Sequence, residues 1–206
     1  MVFIIKISIP LLIKVTMSFR KEKKYRLTNS DQKILKNKLI DKGMKILYPK
    51  RKINSIYFDT KNLDFYLNSE EGVLPRKKVR IRWYNNNLNK MFKEIKISSI
   101  EGRYKISNSF SDPNIIKNKK FQLIDNEFGI IKPKILIIYT REYFIFNNLR
   151  FTFDSDIYYK DISSINGLNK LDKECVMEIK VNFETSDDYI EKIIEFPISR
   201  FSKYSR

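Results

Sequence analysis

The sequence predicts an α+β fold in one domain, and three observations favour it. Short segments rich in β-branched and aromatic residues recur along the chain, which is typical of strands. Only a few segments carry the start and stop signals of helices. The 206 residues contain no repeat, linker or low-complexity tract, and this length is ordinary for a single domain.

The strands follow from alternating apolar and polar residues bounded by turn residues. They are predicted over Phe19–Leu27, Asn54–Thr60, Val79–Tyr84, Met91–Ser98, Gly102–Phe110, Lys134–Phe146, Leu149–Asp156 and Glu174–Phe183. Helices are predicted from a cap at Asn29, Ser30 or Asp31 to about Lys42, over Pro113–Phe128 and over Ser186–Glu195. Gly43 is expected to end the first helix, and Asn147 and Asn148 are expected to form a hairpin turn.

The N-terminal segment Met1–Thr16 is apolar but does not fit a membrane span. Two lysines and a proline interrupt it, no small-residue cleavage site follows, and it is shorter than the ~20 residues that cross a bilayer. Met17 opens a polar segment that is typical of a natural start. We therefore expect an extension over residues 1–16, one domain over residues 17–206 and a cytoplasmic protein. Membrane association through the extension is the alternative.

The chain is strongly basic, with 41 Lys and Arg against 24 Asp and Glu and a formal charge of +17. Abundant lysine follows from an AT-rich genome as readily as from selection. We therefore infer function from where the charges lie and not from their number. The sequence has no histidine, which excludes imidazole bases and Ser-His-Asp catalysis. Cys175 is its single cysteine, which excludes a disulfide framework and a Cys₄ zinc site. The expected partner is an anion.

Charged and apolar residues alternate along several predicted strands, so each of these strands has one charged face. The recurring units are Glu22/Lys24, Arg80/Arg82, Glu94/Lys96 and Glu178/Lys180. Two interpretations stand at this point. The charged faces border water on an ordinary antiparallel sheet, or the sheet closes into a barrel and they meet inside it. A closed basic interior requires anionic contents, because confined like charges repel one another.

Eight short segments share their order and spacing with a known family. They are RKEKKYRL at Arg20–Leu27, SIYFDT at Ser55–Thr60, KKVRIRWY at Lys77–Tyr84, KEIK at Lys93–Lys96, YTREYF at Tyr139–Phe144, LRFTFDSDI at Leu149–Ile157, VMEIK at Val176–Lys180 and RFSKYS at Arg200–Ser205. The chain resembles the VTC domain, the polyphosphate-polymerase family of the triphosphate tunnel metalloenzyme (CYTH-like) superfamily. It resembles the short, stand-alone bacterial type, which has neither a regulatory SPX domain nor transmembrane helices.

The resemblance implies an antiparallel closed β-barrel, whose polar interior forms a tunnel, with flanking helices. It implies that phosphates are held by Lys24, Arg80, Arg82, Lys96, Arg141, Arg150, Lys180 and Lys203, all but Lys180 also as catalytic residues. It further implies Glu178 as a metal ligand, with Glu22 and Glu94 as acidic partners. Oxygen ligands of this kind suit Mn²⁺ or Mg²⁺.

The implied function is metal-dependent transfer of the ATP γ-phosphoryl group to a growing polyphosphate chain. ATP and polyphosphate are the expected partners, and this reaction needs positioning and fixed charge more than a base. One alternative is a triphosphatase on the same fold, in which water attacks. Another is a non-catalytic module that binds polyphosphate or nucleic acid. Nucleic acid is not expected, because binding it does not require the recurring glutamates.

For a few further residues the sequence leaves two roles open or predicts a purely structural one. Asp59 either supports the site or caps a turn, and Asp154 and Asp156 either reach the metal or counter Arg150. Cys175 falls on an apolar strand face and is expected in the core.

Overall fold

The computed structural model describes residues 2–3, 14–17, 20–112, 115, 118, 121–164 and 166–205. Within these residues the strands are β1 (Val2–Phe3), β2 (Lys14–Met17), β3 (Arg20–Leu27), β4 (Lys45–Asp59), β5 (Arg76–Tyr84), β6 (Met91–Ser98), β7 (Arg103–Phe110), β8 (Leu123–Asp125), β9 (Gly129–Phe146), β10 (Leu149–Asp161), β11 (Asn169–Leu171) and β12 (Cys175–Asn182). The helices are α1 (Asn29–Asp41), α2 (Asp64–Glu71) and α3 (Asp187–Ile193), and a 3₁₀ turn covers Lys203–Ser205. The predicted α+β class is confirmed.

The strands form an antiparallel sheet that curls strongly but stays open. Its order is β1-β2-β7-β6-β5-β4-β9-β10-β12-β3, with β11 on β10 and β8 on β9. The expected closed barrel is wrong, since no strand pair joins β3 to β7 in the described part of the chain. The reason lies at the edge of β7, whose backbone groups are already paired with β2.

A side-chain contact spans the gap between β3 and β7, which we call the seam. Arg103 Nη1 of β7 lies 3.5 Å from Glu22 Oε2 of β3. These strands are far apart in the sheet order, so their contact shows how strongly the sheet curls. The sheet is therefore a trough, with a concave and a convex side.

Apolar side chains occupy the convex side, where the helices pack. Leu35 of α1 and Ile190 of α3 join a buried cluster with Ile179 of β12 and Phe151 of β10. Phe65 of α2 belongs to a second cluster, formed mainly with β4, β5 and β9. Burying a side chain of this size contributes roughly 1.5–3 kcal/mol. Because side chains alternate along a strand, this packing directs the charged residues to the concave side.

Helix α1 has a different N-cap from those that the sequence suggested. The candidates Asn29, Ser30 and Asp31 are wrong, because all three lie inside the helix. The cap is Thr28, whose Oγ1 accepts a hydrogen bond from the backbone N–H of Asp31 at 3.0 Å. Gly43 follows the helix with φ +101°, as expected for the residue that ends it.

The predicted turn at Asn147 and Asn148 is confirmed, with φ angles of 47° and 61°. The helix predicted over Pro113–Phe128 is wrong in its described C-terminal part, because Leu123–Asp125 is strand β8 and pairs with β9. Gly129, with φ +69°, turns the chain between these strands. Residues 113–114, 116–117 and 119–120 of that prediction lie outside the described residues.

The N-terminal residues that are described contribute to the sheet. Lys14–Met17 pairs with β7, and Val2–Phe3 pairs with Lys14–Met17 in turn. The division at residue 17 stays a prediction, because most of residues 1–16 lie outside the described residues. None of the helices that the structure describes is long and apolar enough to cross a membrane.

Candidate functional site

A cavity of about 810 Å³ occupies the concave side of the sheet. Residues 198–205 cover one side of it. Thirteen cationic residues line it: Lys24, Arg26, Arg76, Lys78, Arg80, Arg82, Lys96, Arg103, Lys105, Arg141, Lys180, Arg200 and Lys203. The acidic lining residues are Glu22, Glu70 and Glu178. Because confined like charges repel, this excess of cations suits an anion that carries several charges.

Hydroxyl groups of the neighbouring strands β4 and β9 hold Arg80 and Arg82 of β5 in place. Arg80 Nη1 donates to the Tyr57 hydroxyl at 2.9 Å. Arg82 Nε donates to Ser55 Oγ at 3.0 Å, and its Nη2 donates to the Tyr139 hydroxyl at 3.1 Å. Burial alone would raise the pKa of Tyr57, but the charges of Arg80 and Arg82 lower it to about 7. Two buried guanidinium groups are thus fixed in orientation, and guanidinium forks bind phosphate oxygens in pairs.

Glu94 lies behind Arg80 and is not among the residues that line the cavity. Its Oε2 is 2.6 Å from Arg80 Nη2, and its Oε1 pairs with Lys105. Burial would raise the pKa of this carboxyl group, but Arg80 holds it well below its usual range. Both oxygens are engaged by cations, so Glu94 is placed as a counter-ion rather than as the partner of a metal.

Arg141 of β9 and Lys203 of the 3₁₀ turn share one buried carboxylate, that of Asp154. Arg141 Nε and Nη2 donate to Asp154 Oδ1 and Oδ2 at 2.5 and 2.7 Å, and Lys203 Nζ donates to Oδ2 at 2.5 Å. Burial would raise the pKa of Asp154, but these two cations hold it below its usual range. Asp154 therefore fixes two cavity cations at once.

Three lysines of the cavity have lowered pKa values. The charge of Arg80, followed by burial, lowers the pKa of Lys96 to about 7. Burial lowers the pKa of Lys78 to about 8, and it also lowers the pKa of Lys24. Lys24 Nζ donates to the Phe201 carbonyl at 2.8 Å. An anion in the cavity would favour the protonated form of all three lysines.

Glu22 and Glu178 lie on one wall, on either side of Lys180. The Lys180 Nζ atom is 3.2 Å from Glu22 Oε1 and 3.2 Å from Glu178 Oε1. Burial would raise the pKa of Glu178, but Lys180 holds it well below its usual range. Two carboxylates that already share one cation fit a hard divalent metal, which also takes oxygen ligands from phosphate. Within the described residues, no group of three or more His, Cys, Asp or Glu side chains is placed to hold a metal.

The cavity brings together nine of the eleven residues that the sequence suggested for the site: Glu22, Lys24, Arg80, Arg82, Lys96, Arg141, Glu178, Lys180 and Lys203. Glu94 lies behind the lining, as described above. Arg150 pairs with Lys180 across β10 and β12, but it is not among the lining residues.

Sequence reasoning missed the groups that orient these cations. Asp154 was considered as a partner of the metal or of Arg150, whereas it binds Arg141 and Lys203. Tyr57 was not singled out, although it alternates with Ser55 on β4 and period two would have placed both on the inner face.

Asp59 has the capping role that the sequence left open. Its carboxylate accepts hydrogen bonds from the backbone N–H groups of Phe65 and Tyr66 at 2.9 Å, in the first turn of α2. It also accepts one from the Tyr204 hydroxyl. Asp59 therefore joins β4, α2 and the 3₁₀ turn that carries Lys203.

A curled antiparallel sheet with a cationic inner face and paired glutamates is the arrangement of a triphosphate tunnel protein. The model of one such family, the VTC domain, matches residues 19–206, and the chain belongs to this family. No curated protein sequence matches the chain.

Solved structures share the fold at low sequence identity. A candidate adenylate cyclase from Bacillus halodurans is 12% identical with a TM-score of 0.54, over 90% of this chain and 96% of that one. A conserved protein from Pyrococcus furiosus is 14% identical with a TM-score of 0.53, over 91% and 99% of the two chains. A candidate adenylyl cyclase from Hippeastrum with a dominant triphosphatase activity is 16% identical with a TM-score of 0.50, over 89% and 92%.

Proposed function

We propose that this chain is a metal-dependent phosphotransferase that moves the γ-phosphoryl group of ATP onto a growing polyphosphate chain. The observation that carries this proposal is the composition of the 810 Å³ cavity, which thirteen cations and three glutamates line. A linear polyphosphate has a negative charge on every unit. It therefore matches a cavity lined by many cations better than a compact anion would. Membership of the VTC domain family supports the same substrate class.

The buried arginines would provide most of the catalysis. In phosphoryl transfer the loose transition state spreads charge over the phosphoryl oxygens, so fixed cations stabilise it without covalent chemistry. Arg80, Arg82 and Arg141 are each oriented by buried partners before substrate arrives. Little reorganisation is then needed when the charge develops. The acceptor phosphate is already anionic, so the absence of histidine is no obstacle.

Glu22 and Glu178 would hold the divalent cation, Mn²⁺ or Mg²⁺. Bound there, the metal would neutralise charge on the phosphate oxygens and help to orient the chain. Lys180 now lies between the two carboxylates, so it would move its ammonium group toward phosphate when the site is loaded. This accounts for the expected role of Lys180 in substrate binding.

The second candidate function is hydrolysis of a triphosphate in the same cavity. It is supported by the shared fold with the Hippeastrum protein, which has a dominant triphosphatase activity. The difference is the attacking group, which is phosphate in a polymerase and water in a hydrolase. A non-catalytic module that binds polyphosphate is the third candidate, and the glutamate pair on the wall counts against it.

The test is incubation of the purified chain with ATP and either Mn²⁺ or Mg²⁺. A polymerase yields ADP and long polyphosphate in matched amounts, whereas free phosphate without polymer would favour the hydrolase. Glu178→Gln should abolish either activity while the protein still binds tripolyphosphate. Glu195→Gln, on a glutamate whose side chain is 72% exposed, is the matched control. A chain that forms neither product but binds polyphosphate would be a binding module.

A further inference from the structure

The structure has a second cavity, of about 260 Å³, besides the 810 Å³ cavity. Its lining residues are Arg51, Tyr84, Asn85, Asn87, Lys90 and Phe92. None of these residues lines the 810 Å³ cavity, and of the six only Tyr84 falls within a family motif segment described above.

The strand register connects the two cavities along the concave side of the sheet. Arg51 of β4 lies directly opposite Arg141 of β9, and Phe92 of β6 lies directly opposite Arg82 of β5. Directly opposed residues of antiparallel strands point to the same face. Arg82 and Arg141 both line the 810 Å³ cavity, so their neighbours Arg51 and Phe92 place the second cavity on the same side of the sheet.

Arg51 is held in place by aromatic rings and not by a carboxylate. Its Cζ atom lies 5.8, 5.6 and 5.4 Å from the ring centroids of Tyr48, Tyr84 and Tyr143. Within the described part of the chain, no carboxylate lies within 4.0 Å of the charged groups of Arg51 or Lys90. Stacked guanidinium groups keep their N–H donors available at the ring edges.

The amide groups of the second cavity also present donors. The Asn85 side-chain oxygen accepts from the backbone N–H of Lys52 at 3.0 Å, and the Asn87 side-chain oxygen accepts from the backbone N–H of Asn89 at 3.1 Å. Both side-chain NH₂ groups therefore face away from these bonds, since a backbone N–H can only donate. With Arg51 and Lys90, the two amide groups give this cavity four side chains that can donate hydrogen bonds.

We propose that the second cavity binds the part of a linear polyphosphate chain that extends beyond the units held in the first cavity. Phosphate oxygens accept hydrogen bonds and carry negative charge, so they match these donors and the two cations, Arg51 and Lys90. The inference rests on the proposed function for its ligand, polyphosphate, and it makes the trough a site for long chains rather than for triphosphate alone.

The test compares binding of tripolyphosphate, long-chain polyphosphate and a non-hydrolysable ATP analogue to the full chain, without turnover. Arg51→Gln should weaken long-chain binding by about tenfold and leave tripolyphosphate unchanged, because it removes charged hydrogen bonds to the distal units. Lys52→Gln is the matched control, since Lys52 is the exposed neighbour on the other face of β4. Lys90→Gln provides a second variant, because Lys90 is exposed and its loss should not disturb the tyrosine stack.

Three outcomes would overturn the inference. Long chains could bind the wild type no more tightly than tripolyphosphate does. Arg51→Gln and Lys90→Gln could weaken all three ligands equally or not at all. The variants could weaken the ATP analogue selectively, which would assign the cavity to the nucleoside. If the protein makes no polymer from ATP but long-chain binding still depends on Arg51, the proposed polymerase fails and this binding site stands.

Discussion

At the scale of single residues, the site depends on buried carboxylates that do not line the cavity. Asp154 is fully buried and satisfies both Arg141 and Lys203. Glu94 does the same for Arg80 and Lys105. Each carboxylate allows two cations to remain side by side, because it offsets part of their repulsion.

Asp154→Asn should destabilise the protein strongly. Removing one partner from a buried ion pair typically costs about 3–5 kcal/mol, because the other charges stay buried without compensation. Tripolyphosphate should recover part of this loss, since its oxygens can replace the carboxylate beside Arg141 and Lys203. Urea unfolding with and without tripolyphosphate measures both effects. Asp156→Asn is the control, because Asp156 is exposed on the same strand, and equal stability of the two variants would contradict the prediction.

Tyr57 should ionise near neutral pH, since Arg80 and Arg82 lower its pKa to about 7 against about 10 in an unfolded chain. Between these values the folded protein binds fewer protons than the unfolded one, so this tyrosine adds stability as pH rises. That contribution is lost as pH falls through about 7. Ultraviolet absorbance of tyrosinate should show one neutral-range titration that Tyr57→Phe removes.

The control for this titration is Tyr143→Phe, because burial raises the pKa of Tyr143. Its removal should leave the neutral-range signal intact. Bound tripolyphosphate should move the signal to higher pH, because its negative phosphate oxygens offset the positive charge of Arg80 and Arg82 that lowers the pKa of Tyr57. Persistence of the titration in Tyr57→Phe would refute the assignment.

At the scale of elements, the chain brings Lys203 to the cavity through contacts between distant segments. The Tyr204 hydroxyl donates to Asp59, and the Tyr204 ring stacks on Tyr57 with centroids 5.1 Å apart. Arg200 Nη2 donates to the carbonyl oxygen of Ser69 in α2 at 2.6 Å. Helix α2 and residues 200–205 therefore form one unit that positions the Lys203 ammonium group.

Tyr204→Phe should lower kcat more than it lowers stability. It removes one hydrogen bond but keeps the stacked ring, so the cost to folding is about 1 kcal/mol. Small displacements of a group that contacts the reacting phosphate have larger effects on rate, up to about a hundredfold. Steady-state kinetics and thermal unfolding separate the two. Tyr189→Phe, on the exposed face of α3, controls for loss of a hydroxyl, and proportional losses of rate and stability would argue against a positioning role.

The sequence predicted the elements whose signals are local. Alternation on β5 and β12 placed Arg80, Arg82, Glu178 and Lys180 on one face, and the structure places all four at the cavity. Helix α2 was missed because its first turn is capped by Asp59 of the preceding strand, with Leu63 in a left-handed conformation at its start. The partners of Asp154 were missed because they depend on strand register and on a turn about fifty residues away.

At the scale of the whole molecule, the open sheet could not be inferred from strand patterns. Whether β7 pairs with β3 depends on which segment occupies the edge of β7. In the structure Lys14–Met17 occupies that edge. The formal charge of +17 is likewise distributed unevenly, since thirteen cations converge on one cavity. The protein therefore concentrates positive potential in its trough, where screening by salt is weakest.

The open sheet has a topological consequence for the polymer substrate proposed above. A closed tube admits a chain only by threading one of its ends, so loading a long polymer is slow and a ring is excluded altogether. Here the described sheet ends at β1 and β3, and Arg103 and Glu22 contact each other across the seam through a side-chain ion pair. Such a pair can open without breaking backbone pairing. The interior of the polyphosphate chain proposed above, or a large ring without ends, could then enter sideways between these two sheet ends and leave the same way.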